Sequence, residues 1–360
     1  MPELRVGIVG TGNISGIYLE NLAKFPETSV VAVSDADASR AREVAAKAGV
    51  SLVLTPEDLI AHPDVDLVLN LTPPGAHAEV ALAAAAAGKH IYNEKPLAVE
   101  FGDGRALLAE ADRQKVRVGA APDTFLGAGH QTARSVIDSG RLGQLVGVNG
   151  FMQCGGHESW HPSPEFYYTR GGGPLFDMGP YYLTAFVNLF GPIARVAGAT
   201  SSAHAERLIT SEPLRGKKIH VETPTHLVGI FEFASGVIGQ LTTSFDTPVG
   251  TYPAIVVNGT EGSMLVPDPN GFGGEVKSKV RGEDDWVVHS EPRPHGGNAR
   301  GVGVLDLALG LAESRPHRAS GALALHVLEA MHAVLRSAQS GRHVTLETTA
   351  LRPAPMASVP

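Results

Sequence analysis

The chain has 360 residues, of which 43% are hydrophobic and 18% charged, and its formal net charge is -8. This length predicts two domains, and the negative charge gives no general electrostatic reason to bind nucleic acid. No apolar run approaches the ~20 residues that a membrane span requires, and the one cysteine, Cys154, cannot form an internal disulfide.

The first predicted strand lies close to the N-terminus. Residues 4–9 are almost continuously apolar, which leaves no room for a basic segment and a cleavage site ahead of them. We therefore expect a cytoplasmic protein, and a lone cysteine fits a reducing compartment. The expected partner is a small polar molecule, with no role for nucleic acid or a membrane.

A glycine turn follows this strand and precedes a helical pattern. Gly10 permits a tight turn, and Gly12 lets backbone amides approach a pyrophosphate at the helix N-terminus. Asn13 and Ile14 lie between these glycines and the helix. Ser15 stands where the dinucleotide pattern has its third glycine, and an ordinary glycine turn is the alternative. The order of strand, turn and helix predicts a dinucleotide site.

The second predicted strand, residues 29–34, ends at Asp35. A carboxylate at this place accepts hydrogen bonds from the ribose hydroxyls of NAD and repels the 2′-phosphate of NADP. Ser39 and Arg40 could instead hold that phosphate, so NADP is the alternative cofactor. Asp35 and Asp37 are also candidate caps of the next helix, and we expect one of them to cap it.

A further strand, turn and helix begin at residue 67. The strand ends at Asn70, and Thr72 and Pro73 form the turn before an alanine-rich helix that begins at His77. Turn residues directly after a buried strand indicate the edge of the sheet at which α/β proteins bind ligands.

The next short strand, residues 90–93, brings Glu94 and Lys95 to the same edge of the sheet. Lys95 therefore presents a cation at a crevice, and Pro96 restricts the backbone beside it. A solvated surface charge is the alternative for any lysine, and the strand end together with the proline argues against it here.

The nucleotide domain is expected to comprise residues 1–121. Hairpin turns after residue 145 predict a mostly antiparallel sheet in a second domain, residues 122–345. Its predicted strands are residues 145–151, 195–199, 225–233, 237–245, 252–257 and 263–266. An apolar helix at residues 322–337 would pack back toward the first domain, and residues 346–360 would form an extended tail.

The glycine turn, the Thr-Pro-Pro turn with His77, the AGKHIYNEKPLA segment and the later GGGPLFDMGPYY segment occur in one chain. In this combination the sequence resembles the Gfo/Idh/MocA oxidoreductases, named after glucose-fructose oxidoreductase and inositol dehydrogenase. The resemblance implies an α/β fold, with an N-terminal Rossmann doubly wound parallel sheet and a C-terminal α+β domain that has a large, mostly antiparallel sheet. It also implies a homo-oligomer, dimer or tetramer, formed through the C-terminal sheet.

The resemblance also assigns roles to individual residues. It implies that Lys95 is catalytic. The residues at the cofactor would include Thr72, Pro73, His77 and Glu94. In the family an Asn often lies near the position of Asp123, by the nicotinamide or the substrate, so Asp123 is a candidate substrate residue. Capping of the next helix by Asp123 or Thr124 is the alternative.

Asp177 and Tyr181 lie in the GGGPLFDMGPYY segment, at the start of a predicted helix. The family pattern here is Asp-x-Gly-x-His with both side chains facing the substrate, and Tyr181 replaces the histidine. Four residues apart on a helix, the two side chains share one face. A helix cap is the alternative for Asp177, and a core aromatic is the alternative for Tyr181.

The implied reaction transfers a hydride between the nicotinamide and a hydroxyl-bearing carbon of a sugar, inositol or related polyol. The hydroxyl proton must leave as the hydride departs, which requires a base. We assign Tyr181 to proton transfer, with Lys95 as its electrostatic partner or as the base itself, and Asp177 to orientation of the substrate hydroxyl.

The segment from His157 to His161 matches the zinc-protease pattern H-E-x-x-H. Two glycines before it and Pro162 after it argue against the helix that zinc binding needs, so we expect no metal. His157, Trp160, His161 and Tyr168 are instead candidate sugar-binding residues, since rings stack on pyranose faces and imidazoles bind hydroxyls. A packed loop anchor is the alternative for each of them.

Two other functions remain open for the same scaffold. Some proteins that resemble this chain use NAD transiently to cleave glycosides without net redox change. A non-catalytic sensor that only binds NAD(P) is the second alternative, and the presence of Lys95, Asp177 and a tyrosine in one chain argues against it.

Overall fold

The computed structural model describes residues 3–290 and 292–356. The chain divides into two compact units. The first comprises the chain up to Leu126 together with Gly297–Leu328, and the second comprises Gly127–Gly296 together with the chain from Glu329. The sequence-based boundary at residue 121 is close to the first division. However, the segment Gly297–Leu328, which the sequence assigns to the second domain, belongs to the first unit.

The strands and helices are numbered in chain order. The strands are β1 (Leu4–Val9), β2 (Thr28–Ser34), β3 (Leu52–Val53), β4 (Leu67–Asn70), β5 (His90–Asn93), β6 (Val118–Ala120), β7 (Leu145–Gln153), β8 (Ile193–Ser201), β9 (Glu206–Leu208), β10 (Lys218–His220), β11 (His226–Phe233), β12 (Ile238–Ser244), β13 (Ile255–Gly259), β14 (Gly262–Val266), β15 (Val276–Val280), β16 (Val287–His289) and β17 (Val344–Thr345). The helices are α1 (Ser15–Leu22), α2 (Ala38–Ala48), α3 (Pro56–Ala61), α4 (His77–Ala86), α5 (Phe101–Gln114), α6 (Ala128–Asp138), α7 (Gly173–Phe190), α8 (Val302–Ala312) and α9 (Gly321–Ser340).

The first unit contains a parallel six-stranded sheet in the order β3-β2-β1-β4-β5-β6. Strand β1 is buried on both faces, as its apolar run predicts, with Val6 and Ile8 fully buried. The strand order reverses between β1 and β4, so a crevice opens at the carboxyl ends of these strands. The glycine turn, Thr72 and Lys95 follow the ends of β1, β4 and β5. This confirms the predicted doubly wound fold.

The segment from residue 297 completes the first unit. The amide of Ala120, at the end of β6, donates to the Ala319 carbonyl at 3.0 Å. Leu325, on α9, is part of the hydrophobic core that also contains Leu107 and Val118. The predicted apolar helix is therefore present, and its first part, to Leu328, belongs to the first unit.

The second unit contains a nine-stranded sheet in the order β16-β15-β14-β13-β7-β12-β11-β8-β17. The predicted, mostly antiparallel character is confirmed, and the parallel pair β7 and β12 is the exception. Helix α7 packs against β7, β11 and β12. In β11 the side chains alternate, so Leu227 and Phe231 are buried while Ile230 is exposed.

The end of the described chain, residues 351–356, has no regular secondary structure, as expected for an extended tail. It is held to the second unit by Arg134, which donates to the Pro353 carbonyl at 2.8 Å. Gln131 accepts a hydrogen bond of 2.7 Å from the amide of Met356. The rest of the predicted tail, residues 357–360, lies outside the described residues. Within residues 3–290 and 292–356, no helix has both the length and the apolar character needed to cross a bilayer.

Candidate active site

The turn after β1 has the geometry of a phosphate-binding turn. Gly10 has a φ of 100°, and an added Cβ would stand 2.6 Å from the backbone carbonyl carbon of Leu71, so only glycine fits there. A Cβ added to Gly12 would meet no heavy atom within 4 Å, which leaves that backbone open to a phosphate. The Ser15 hydroxyl donates to the Gly12 carbonyl at 2.8 Å. Serine thus closes the turn where the pattern has a third glycine.

Asp35 lies at the end of β2, as predicted, with its side chain 5% exposed. Its carboxylate accepts hydrogen bonds from the Thr11 amide at 2.7 Å and from Arg40 at 2.7 Å. Burial alone would raise the pKa of Asp35, but the hydrogen bonds from Arg40, the Asp37 amide and Thr11 outweigh it and hold that pKa well below its usual range.

Asp37 caps α2 by accepting from the Ser39 amide at 2.9 Å. The prediction that one of the two acids caps the helix is therefore confirmed. Arg40, the candidate phosphate ligand, forms an ion pair with Asp35 instead.

A cavity of about 650 Å³ lies beside the glycine turn. Among the predicted cofactor residues, Gly12, Asn13 and Arg40 line it. Helices α1 and α2 supply the rest of its wall, including Glu43 and Lys47, which the sequence did not mark as site residues. The cavity thus lies beside the open backbone at Gly12, but neither Asp35 nor Lys95 is among its lining residues.

His77 is buried and bonded to backbone on both sides. Its Nδ1 lies 2.7 Å from the Pro96 carbonyl oxygen, and its Nε2 lies 2.8 Å from the Thr72 carbonyl oxygen. Burial lowers its pKa, against the two backbone contacts, which raise it. His77 therefore ties the turn after β4 to the segment after β5. The structure places it behind both loops and not at an open surface. Pro73 leads into the short 3-10 turn Pro74–Ala76.

Both carboxylate oxygens of Glu94 accept hydrogen bonds. The Tyr18 hydroxyl donates to Oε1 at 2.8 Å, and the Lys95 amide donates to Oε2 at 2.9 Å. Tyr18 is fully buried on α1, and its pKa is raised well above the ordinary value by burial and by Glu94. Helix α1 is thereby connected to the backbone at Lys95. Sequence reasoning missed Tyr18, because a buried helical aromatic gives no signal of a polar contact.

Asp123 is 1% exposed, and its Oδ2 accepts from the amides of Gly301 at 2.9 Å and Gly303 at 3.0 Å. Burial raises its pKa to about 6. It therefore caps α8, which begins 179 residues later in the chain. This corrects the expectation that it caps the helix directly after it. The buried Asp123 side chain thus holds the start of α8.

In the second unit, Asp177 and Tyr181 lie one turn apart on α7. Asp177 is the fifth residue of the helix, so it is not the helix cap, and that alternative is wrong. His157 comes from the loop after β7, and its Nε2 lies 3.3 Å from Oδ2 of Asp177. The structure thus brings together two predicted site residues that are 20 positions apart.

The H-E-x-x-H segment forms a turn, so its two imidazoles do not occupy one helix face. His157 and His161 each lie in a chain of edge-to-face aromatic contacts that includes Trp160, Phe166 and Tyr167. Trp160 is 61% exposed, as a stacking platform requires. Among residues 3–290 and 292–356, no group of three or more histidines, cysteines and acids could hold a metal ion.

Tyr168 is fully buried, and its hydroxyl donates to Glu158 and accepts from the His157 amide at 3.3 Å. Glu158 pairs with Arg207 at 2.7 Å, and Arg207 also pairs with Asp246. These contacts favour the anchor interpretation for Tyr168 over an exposed sugar-binding ring. The sequence did not indicate Glu158, Arg207 or Asp246, since the arginine is 49 residues from its first partner.

The comparisons with known proteins agree with this architecture. Residues 4–121 match the model of the oxidoreductase family with an NAD-binding Rossmann fold, and residues 130–265 match the model of the GFO/IDH/MocA C-terminal domain. The myo-inositol 2-dehydrogenase of Thermotoga maritima is 26% identical over 265 residues, which are 73% of this chain and 75% of the relative. The 1,5-anhydro-D-fructose reductase of Ensifer adhaerens is 28% identical over 268 residues, or 72% of this chain and 75% of the relative.

Solved structures share the whole fold. An NAD-binding oxidoreductase from Klebsiella pneumoniae superimposes with a TM-score of 0.84 at 23% identity, covering 96% of this chain and 99% of the other. A levoglucosan dehydrogenase in complex with NADH and levoglucosan superimposes with a TM-score of 0.82 at 21% identity, again over 96% and 99%. With both domain models matched in the expected order, the chain belongs to the Gfo/Idh/MocA family of oxidoreductases.

Proposed function

We propose that this oxidoreductase transfers a hydride between NAD and a hydroxyl-bearing carbon of a sugar, inositol or related polyol. Family membership supports the redox class, and the names of the relatives support the substrate class: one is a myo-inositol dehydrogenase and another reduces an anhydro sugar. The observation that carries the proposal is the position of Lys95, which directly follows Glu94 and strand β5 in the sheet that carries the glycine turn.

The cofactor would be held by the chain's own backbone and carboxylates. The open backbone at Gly12 and the N-terminus of α1 suit the pyrophosphate, and Asp35 suits the ribose hydroxyls. When bound, the nicotinamide supplies the carbon that accepts or gives the hydride. NAD is the proposed cofactor because the buried, ionised Asp35 would repel an added 2′-phosphate and also neutralises Arg40.

The proton of the reacting hydroxyl must be taken by a side chain. We assign this role to Tyr181, with the Lys95 ammonium favouring its ionised form, since an unperturbed tyrosine with a pKa near ~10 is a weak base at neutral pH. Asp177 orients the hydroxyl as a charged hydrogen-bond acceptor. Trp160 and His161 supply an aromatic surface and an imidazole for the sugar ring.

The test is turnover on a panel of inositols, aldoses, anhydro sugars and polyols, with NAD and with NADP, followed by the absorbance of the reduced nicotinamide. We expect reduced cofactor to accumulate with NAD and at least one panel member. Cleavage of a glycoside with flat absorbance would contradict the proposal. Tight NAD binding without turnover on any member would contradict it as well.

Replacement of Lys95 by methionine should lower kcat by at least about 100-fold, because it removes the charge that supports proton transfer. The matched control is Lys218→Ala, which removes an exposed lysine that pairs with Glu206 across the β9–β10 hairpin and should leave kcat unchanged. Steady-state kinetics and unfolding curves of both variants check this. A Lys95→Met enzyme with near-normal turnover would exclude the assigned role.

A further inference from the structure

We propose that His157 is a positioning residue for Asp177, held by a buried ion network on the other side of its loop. The inference rests on the proposed function, because it assumes that Asp177 orients the substrate hydroxyl. It assigns to His157 a role distinct from direct sugar binding, and it makes Arg207 and Glu158 part of the support of the site.

The first step of the argument is the contact itself. Nε2 of His157 lies 3.3 Å from Oδ2 of Asp177, and the two side chains are 12% and 17% exposed. Nδ1 of His157 is buried and has no hydrogen-bond partner among the described residues. An ionised carboxylate can only accept a hydrogen bond, so Nε2 of His157 is the donor in this contact.

The second step is the rigidity of the imidazole. Three aromatic rings surround it, with centroid distances of 4.0 Å to Tyr167, 4.6 Å to Phe245 and 5.2 Å to Trp160. All three contact it edge-on, which fixes the plane of the ring. These neighbours restrict tilting of the ring out of the plane in which its Nε2 faces Asp177.

The third step is the support of the loop backbone. The Arg207 guanidinium binds the Gly155 carbonyl at 3.2 Å and the Glu158 carboxylate at 2.7 Å, so it clamps the loop on both sides of His157. Arg207 is itself 8% exposed and also pairs with Asp246. Buried pairs of this kind are costly to separate, since each lost partner leaves an unpaired charge away from water.

The consequence concerns the orientation of a carboxylate. An aspartate can rotate about its last torsion, and a catalytic hydrogen bond loses value with small misplacements. Donation from a fixed imidazole to Oδ2 sets the plane of the Asp177 carboxylate before substrate arrives. His157 thus acts through Asp177, and the proton that leaves the substrate does not pass through His157.

The discriminating variants are His157→Gln, His157→Asn and His157→Ala. The side-chain amide nitrogen of glutamine can take the place of Nε2 and donate to Asp177, whereas that of asparagine corresponds to Nδ1 and falls short. We expect Ala and Asn to lower kcat on the order of 100-fold with an unchanged KM for NAD. We expect Gln to restore kcat to within about threefold of the wild type with the wild-type pH profile.

Two results would overturn the inference: a His157→Ala enzyme with wild-type kcat, or a Gln enzyme as impaired as the Ala enzyme, which would mean that the imidazole itself carries the proton. Nitrogen-15 NMR of protein labelled at histidine, recorded without substrate, shows independently which ring nitrogen of His157 carries the proton. The Nε2-protonated form is expected for His157, and an Nδ1-protonated ring would contradict the proposal.

Failure of the inference and failure of the proposed function are distinguishable. If Asp177→Asn and Lys95→Met abolish turnover while His157→Ala does not, only the inference fails. If the wild-type enzyme shows no NAD-dependent turnover on the panel, the proposed function fails, and the NMR measurement still decides whether His157 donates to Asp177.

Discussion

Asp123 is a single carboxyl group whose ionisation should be visible in the stability of the whole protein. Its pKa of about 6 is raised from the ordinary value of 3.8, mainly by burial and also by Glu94, while the amides of Gly301 and Gly303 and the charge of Arg300 lower it. The folded state therefore keeps this proton at a pH at which the unfolded chain has released it. The contribution of Asp123 to the free energy of unfolding is complete below the unfolded pKa and falls as pH rises through the folded pKa.

Replacement of Asp123 by asparagine should remove this pH dependence. Both amides donate to one oxygen, Oδ2, so the asparagine Oδ1 can accept both bonds without a buried charge. Relative to the wild type, the variant should gain up to about 3 kcal/mol between pH ~4 and pH ~7. Urea unfolding across this range measures the difference.

The control for this prediction is Asp123→Ala. It leaves two amides without an acceptor and should lose about 1–3 kcal/mol relative to Asp123→Asn at every pH. A difference between wild type and Asp123→Asn that does not vary with pH would contradict the assignment of the raised pKa.

At the scale of elements, the turn between β1 and α1 contains two glycines that are needed for different reasons. Gly10 is needed for the backbone, because it has a φ of 100° and its added Cβ would overlap the Leu71 backbone. Gly12 is needed for the ligand, because the space beside it is empty in the protein alone. One motif therefore contains a folding position and a binding position.

Alanine substitutions should separate these two roles. Gly10→Ala should lower the free energy of unfolding by about 2 kcal/mol or more through strain. Gly12→Ala should change stability by less than about 0.5 kcal/mol but weaken NAD binding by at least about tenfold, since the methyl group occupies the phosphate position. Unfolding curves and calorimetric titration with NAD provide both values.

The control here is Gly102→Ala. It lies on α5, where an added Cβ meets nothing within 4 Å, and should be neutral or slightly stabilising in both assays. Equal loss of NAD affinity in Gly12→Ala and Gly102→Ala would rule out a specific role for Gly12.

Local patterns predicted the elements of the first unit well, because a buried parallel strand and the glycine after it are signalled by neighbouring residues. Strand β5 has the expected bounds, His90–Asn93, and α4 begins at His77, as expected. The hairpin of β9 and β10 was missed, since each strand has three residues and a single buried side chain. The parallel pairing of β7 with β12 was missed because hairpin turns specify only consecutive strands.

The position of a candidate site residue was predictable where it directly follows a buried strand, as Asp35 does after β2 and Glu94 and Lys95 do after β5. It was not predictable where the partner is distant along the chain. His77 and Asp123 have residue types suited to ligands, yet the structure uses both to hold loops. The partners of Asp123 lie 178 and 180 residues away, and no local pattern indicates such a contact.

At the scale of the whole molecule, part of one face of the nine-stranded sheet is exposed among the described residues. Helix α7 packs on the opposite face, whereas Ile230 on β11 is 44% exposed and Ile238 on β12 is 57% exposed. Exposed aliphatic side chains on neighbouring strands are typical of a surface that pairs with another subunit. We propose that this face forms the homo-oligomer interface.

The double substitution of Ile230 and Ile238 by aspartate should convert the oligomer to monomer, because it places charges in an apolar interface. Sedimentation velocity of wild type and variant measures the masses. Leu351→Asp, which alters a leucine that is 90% exposed outside the sheet, is the matched control and should leave the oligomer intact. A monomeric wild type, or a double variant that sediments like the wild type, would exclude the interface.

The first unit is built from two segments that are far apart in the chain, and this affects the order in which its parts are synthesised. Residues up to Leu126 leave the ribosome early, but the amides that bind Asp123 and the Leu325 side chain of the core around Leu107 follow only when Gly297–Leu328 has been made. At about 5–20 residues per second, the intervening residues 127–296 take about 9–34 s to translate. During this interval the nascent nucleotide-binding lobe lacks Leu325 of its core and the amides that bind Asp123, so it reaches its final packing only after residues 297–328 have been translated.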